Sequence, residues 1–200
     1  MHIVLVFLAV FIALPLLAPL FMHNGLEMPA RIIYLSYSHF CHQFAYRSWF
    51  LFGEQSYYPL EEASIAGKMT YEEAFKADST DEELSRKIIG SEKLGYKMAF
   101  CQRDFAMYSA LFIFGGIFTA AGRKIKRAPF ILWLGIGVIP LGLDGVIQLA
   151  GNVFGFFPYQ WESIPFLRTL TGSLFGFMSG WFLFPSIEMV IKRNFSASLD

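Results

Sequence analysis

Two short runs hold most of the side chains that could do chemistry. They are His39-Phe40-Cys41-His42-Gln43, extended by Arg47-Ser48-Trp49, and Cys101-Gln102-Arg103-Asp104. Both cysteines of the chain lie in them. Cys101 and Asp104 are three apart at the start of an expected helix, so their side chains share one face. With Cys41 and either His42 or His39 they would make a four-ligand set of thiolate, carboxylate and imidazole. Zinc accepts all three in tetrahedral geometry, and ferrous iron is the alternative occupant. Three readings of the cysteines stay open: metal ligation, a Cys41–Cys101 disulfide, which an oxidising compartment would favour, or two free thiols.

Further polar residues interrupt apolar stretches downstream. Asp144 and Gln148 stand one helical turn apart, and Arg168 follows in the next apolar run. A carboxylate inside a bilayer is costly unless paired, so Asp144 should meet Arg47, Arg103 or Arg168. Arg47, Arg103, Asp144, Gln148 and Arg168 are therefore the candidate catalytic set beside the metal-ligating one.

The elements that position these residues follow from composition. With 55% hydrophobic residues, 18% aromatic and 16% charged, the chain is too apolar for a soluble surface and reads as an integral membrane protein. A bilayer core needs about 20 apolar residues in a helix. Four stretches meet that length: 3–22, which reads as a retained helix rather than a removed signal peptide, then 99–121, 129–151 and 165–191. Residues 29–53 are rich in aromatics but carry too many polar groups for a lipid-facing span. They read as an interfacial or re-entrant helix to about Gln43 and then a loop, with a fifth span as the alternative. The expected fold class is an all-α membrane protein with four transmembrane helices, that interfacial helix and a small helical insertion.

Residues 54–98 are that insertion. Thr70 with Glu73 predicts a capping box, and Ser79 or Thr80 before Asp81-Glu82-Glu83 predicts a second short helix ending at Ile89. Large apolar residues are few here, so the insertion should lie on the membrane portion as a cap. The chain thus divides into 1–53, 54–98 and 99–200. Arg123, Lys124, Lys126 and Arg127 crowd one short loop, which the positive-inside rule places in the cytoplasm with the C-terminus. Residues 54–98 and the cation-free 152–163 loop then fall on the extracytoplasmic side. No nucleic-acid surface is supported, because this cluster is short and already accounted for. Gly172, Gly176 and Gly180 form a small-residue stripe on the last span, for packing inside the subunit, against a partner, or in a homo-oligomer.

The order of motifs resembles a family. Cys41-His42-Gln43, the run from Arg47-Ser48-Trp49 to Gly53, Cys101-x-Arg103-Asp104 with Tyr108, Asp144-Gly145-x-x-Gln148 and Arg168-x-x-Thr171-Gly172 are similar to an uncharacterised prokaryotic family of small multi-pass membrane proteins. Where that family has the second cysteine of a Cys-x-Arg-Cys, this chain has Asp104, and 54–98 replaces a very short connection. The exchange keeps a metal ligand and removes a disulfide partner. The resemblance implies a membrane fold and no activity.

From these residues we expect a zinc site of Cys, His and Asp ligands at the extracytoplasmic face. It would belong to a metal-dependent hydrolase acting on a lipid-linked or anionic substrate. The competing expectation is a non-enzymatic accessory or scaffold subunit, with the polar cluster as interhelical glue.

Overall fold

The computed structural model describes residues 1–78, 80–154 and 162–197. It is mostly helical. α1 (His2–His23) runs straight through Pro15 and Pro19. Each proline lacks an N–H and frees the carbonyl four residues earlier. Pro15 frees that of Phe11, which accepts a hydrogen bond from Tyr37 Oη at 2.9 Å. Tyr37 ends α2 (Glu27–Tyr37), so this bond ties α2 to the membrane helix beside it. α2 buries Ala30, Ile33, Tyr34 and Tyr37 and exposes Met28, Ile32 and Leu35. Spaced four and three apart, the exposed three form one apolar stripe.

The expectation of an all-α fold is corrected by a three-stranded antiparallel sheet in the order β1-β3-β2. Its strands are β1 (Ser48–Leu51), β2 (Gly90–Ser91) and β3 (Gly95–Cys101). The segment expected to be loop after Gln43 supplies β1, and the expected span beginning at residue 99 is extended up to Cys101. Gly53 and Gly95 allow the strands to close: a Cβ on Gly53 would stand 2.3 Å from Leu94 and Gly95 backbone atoms, and Gly95 has φ +79°. The register places Ser48 opposite Cys101, which fastens the first chemical run beside the second.

The insertion folds over this sheet. Thr70 and Glu73 form the capping box of α3 (Tyr71–Phe75). Asp81 caps α4 (Glu82–Lys87) through Leu84 N–H. The cap is thus Asp81 rather than Thr80, and Ser79 lies outside the described residues. The helix ends at Lys87 rather than Ile89. Among the described residues the insertion has no core of its own. Tyr58, Leu60 and Tyr71 cluster with Phe44, Tyr46 and Phe50 from upstream.

α5 (Gln102–Ala120) packs along α8 (Pro165–Ala197). Between them in sequence, α6 (Phe130–Leu132), a π-helical stretch (Trp133–Val138) and α7 (Ile139–Phe154) follow one another. α7 therefore continues past the break expected at Gly151, and residues 155–161 of the expected outer loop lie outside the described residues. Gly172 and Gly176 are used inside the chain: a Cβ on them would stand 2.5 Å from Arg103 O and 2.0 Å from Met107 O. Gly180 lies against Phe114.

Among the described residues, three helical stretches are long and apolar enough to cross a membrane: His2–His23, Phe130–Gln148 and Pro165–Asn194. α5, the fourth expected span, is not among them. Its first turn, Gln102-Arg103-Asp104, is polar, and the strand that precedes it shortens its apolar part.

Candidate metal centre and arginine–carboxylate cluster

The Cys41 loop is built by pinning its backbone on several sides. Phe40 and Cys41 N–H groups both donate to Tyr37 O at 3.0 Å, closing a turn at the end of α2. Gln43 takes a left-handed φ of +55° and donates from Nε2 to Tyr34 O at 2.9 Å. Its own carbonyl accepts from Lys97 Nζ at 2.8 Å. The Lys97 ammonium also donates to Arg86 O at 2.6 Å and Ser85 O at 3.4 Å, carbonyls near the end of α4. One fully buried lysine on β3 thus joins the insertion to the cysteine loop. Burial pushes it down to about 7 from an ordinary 10.5.

Cys101 closes β3 and caps α5. Its Sγ accepts from Asp104 N–H at 3.5 Å, and its own N–H donates to Cys41 Sγ at 3.2 Å. Ligand atoms of Cys41, Cys101 and Asp104 all lie within 4.8 Å of one another. Both cysteines are free thiols. The hydrogen bond with Cys101, burial and the neighbouring Asp104 carboxyl all push the Cys41 thiol up. Two thiols and a carboxyl at this spacing are a donor set that suits a divalent ion. Backbone N–H groups already oriented at both sulfurs are the outer support such sites use.

A second cluster flanks the first. Arg103 donates through Nη2 to Asp144, which also accepts from Ser163 Oγ at 3.0 Å. Arg103 is thus the cation that pairs with the buried Asp144. Glu162 gathers the rest. Arg47 donates to it from Nε and Nη2, each at 3.3 Å, and Arg168 Nη2 and Gln148 Nε2 also donate. Burial alone would raise the Glu162 carboxyl, but the Arg168 and Arg47 guanidiniums outweigh it and hold it below the ordinary 4.5. Arg47 also lies over the rings of Tyr46 and Phe44.

The two clusters face one cavity of about 180 Å³. Its walls include Cys41, His42, Cys101, Asp104, Arg47, Arg103, Gln148 and Arg168. Almost every residue singled out from the sequence is therefore at one place. Asp144 stands behind Arg103. His42 is on the rim with its ring stacked on Phe44, and His39 is exposed with Nδ1 at 3.2 Å from Leu35 O, so neither imidazole belongs to the 4.8 Å group. Sequence reading missed two residues. Glu162 is the one acidic residue in 152–163, a signal that could have singled it out. Lys97 lies in a segment whose strand character was not recognised.

Residues 92–182 match the family described as "Predicted membrane protein (DUF2085)", which bears out the resemblance to an uncharacterised prokaryotic membrane family. An uncharacterized protein of Methanocaldococcus jannaschii is 32% identical over 102 residues, 50% of this chain and 60% of that relative. The match thus spans about three fifths of the relative's length. No solved structure matches the chain.

Proposed function

We propose that Cys41, Cys101 and Asp104 hold a transition metal, zinc first and ferrous iron second, and that the site hydrolyses a lipid-linked or anionic substrate at the extracytoplasmic membrane face. The observation that carries this reading is the meeting of three ligand atoms within 4.8 Å at a cavity also lined by Arg47, Arg103 and Arg168. Three protein ligands with an open fourth position are the pattern of catalytic rather than structural zinc. A metal there would supply an activated water and polarise the bond under attack. The arginines would hold the anionic group, each through N–H donors left over from its carboxylate partner. Gln148 and Glu162 would keep Arg47 and Arg168 in place, and Asp144 would do so for Arg103.

The orientation rests on the four cations of 123–127, near the end of α5 opposite the site. α5 would be a fourth crossing: 19 residues make about 28 Å of helix, close to a bilayer core. The accessory-subunit reading loses one support, because Gly172, Gly176 and Gly180 pack against α5 within the chain.

The test is turnover by purified, metal-loaded protein on a head-group-labelled extract of membrane lipids. Wild type should release labelled product, and Cys101→Ser should lower the rate about a hundredfold, because the metal that would activate the water loses a ligand. A metal-loaded wild type that releases nothing, and that co-purifies with a stoichiometric partner, would replace this reading with the accessory-subunit one.

A further inference from the structure

The cavity beside the cysteines takes guanidiniums from three separate elements. Arg47 stands just before β1, Arg103 in the first turn of α5 and Arg168 in the first turn of α8. Arg47 and Arg168 share the Glu162 carboxylate, and Arg103 is paired with Asp144. Those bonds use at most two of the five N–H donors that each guanidinium carries. Neither Glu162 nor Asp144 lines the cavity, so the carboxylates stand behind the arginines they hold. Among the described residues Asp104 is the one acidic group in the walls, and it belongs to the metal-ligand set.

Between α5 and α8 the cavity is shut. Gly172 and Gly176 approach α5 so closely that a Cβ would meet Arg103 O at 2.5 Å and Met107 O at 2.0 Å. His42, by contrast, is an exposed residue of the cavity wall. A polar hollow of about 370 Å³ shares Cys41, His42 and Gln43 with the cavity, and exposed Ser38, His39 and Arg86 complete its polar lining. The accessible side of the cavity is therefore the polar one.

We propose that this cavity takes the terminal phosphate of a small phosphomonoester, its oxygens held by Arg47, Arg103 and Arg168. The proposal rests on the reading of the cavity as an anion site beside a metal, and it specifies the substrate class. A phosphomonoester carries close to two negative charges at neutral pH and three strong acceptor oxygens. Three guanidiniums on separate elements match that number. A carboxylate, with two oxygens in one plane and one charge, is satisfied by a single arginine fork, and a phosphodiester keeps only one charge. At about 30 Å³ per water, a cavity of about 180 Å³ holds the equivalent of about six waters, which is room for a phosphate and a few further atoms. The same phosphate chemistry could come from a soluble ester or from a lipid head group. The closed seam between α5 and α8 and the exposed His42 side favour the soluble ester.

The experiment titrates the full chain in phosphatidylcholine nanodiscs by calorimetry with glycerol 3-phosphate, inorganic phosphate, acetate and the diester glycerophosphocholine. Bound zinc is assayed on the same samples. Glycerol 3-phosphate and inorganic phosphate should bind more tightly than acetate or the diester by about tenfold or more, the value of an added charge-assisted hydrogen bond. This ranking needs no variant. Arg47→Gln, at the half-buried member of the three, should weaken glycerol 3-phosphate by about tenfold or more with zinc content unchanged. Phosphatidic acid placed in the disc at equal concentration should not displace glycerol 3-phosphate. Displacement would overturn the soluble source and assign the phosphate to a lipid head group.

Acetate or diester binding as tight as that of glycerol 3-phosphate, or an Arg47→Gln titration that matches wild type, would overturn the proposal. Zinc retained by a chain that binds no phosphate would remove this inference and leave the metal reading standing. Arg47-dependent binding of glycerol 3-phosphate by zinc-free protein would do the reverse.

Discussion

Cys101 serves two structures at once, as the cap of α5 and as a partner of Cys41, and a serine there could still cap the helix. Cys101→Ser should therefore leave the fold intact while weakening metal binding. Glu162 is different, because its carboxylate neutralises Arg168 in a buried place. Glu162→Gln leaves that cation buried and uncompensated, and should cost about 3 kcal/mol in thermal unfolding. The same change tests a pH dependence. Since the folded Glu162 carboxyl sits below 4.5, its contribution is complete above the unfolded value and is lost as pH falls through the folded one. Wild type should lose stability below about pH 4.5 more steeply than Glu162→Gln; parallel acid limbs would show that the arginines do not hold this carboxylate. Much of this cluster was legible because charges inside apolar runs are conspicuous. Sequence leaves Asp144 among three arginines, since spacing along a helix does not reveal which neighbouring helix faces it.

Elements bring the chemistry together through close backbone approach. Gly176→Leu would drive a side chain into Met107 O, and such overpacking costs about 3 kcal/mol. It should reduce folded yield in detergent and abolish metal binding, because Arg103 and Asp104 ride on the displaced helix. Lys97 joins α4 to the Gln43 turn, and its titration has a defined sign. A folded value near 7 against 10.5 unfolded means the unfolded chain binds more protons between them, so this burial penalty is complete below about pH 7 and falls away as pH rises. Wild type should thus gain stability between about pH 7 and 10.5 relative to Lys97→Met; equal slopes would contradict that. The capping box was legible because it depends on residues three apart. β1 and β3 were not. They pair across more than forty residues, and β3 is joined directly to a helix whose apolar run hides the boundary at Cys101.

At the scale of the molecule, one end of the helices carries the site and the opposite end of α5 leads into the basic loop. Reporter cysteines placed in 123–127 of a Cys41→Ser, Cys101→Ser background should react with an impermeant reagent only after the cytoplasmic side is opened. Cysteines in 54–98 should react in intact cells. The reverse pattern would invert the proposed orientation and remove the extracytoplasmic substrate. The membrane class was plain from composition, whereas the span count was not, because a helix that begins Gln102-Arg103-Asp104 and leans on α8 has less need of a uniformly apolar surface. Cys41, Cys101 and Asp104 are the residues on which the proposed function depends. The most direct test is the metal content per chain of purified wild type, Cys101→Ser and Asp104→Ala, by elemental analysis. The account predicts about one zinc or iron in wild type and loss of most of it in both variants, as removal of one ligand of a three-ligand site implies. Metal-free wild type with a Cys41–Cys101 bridge in non-reducing mass spectrometry would contradict it and make the cluster a structural staple.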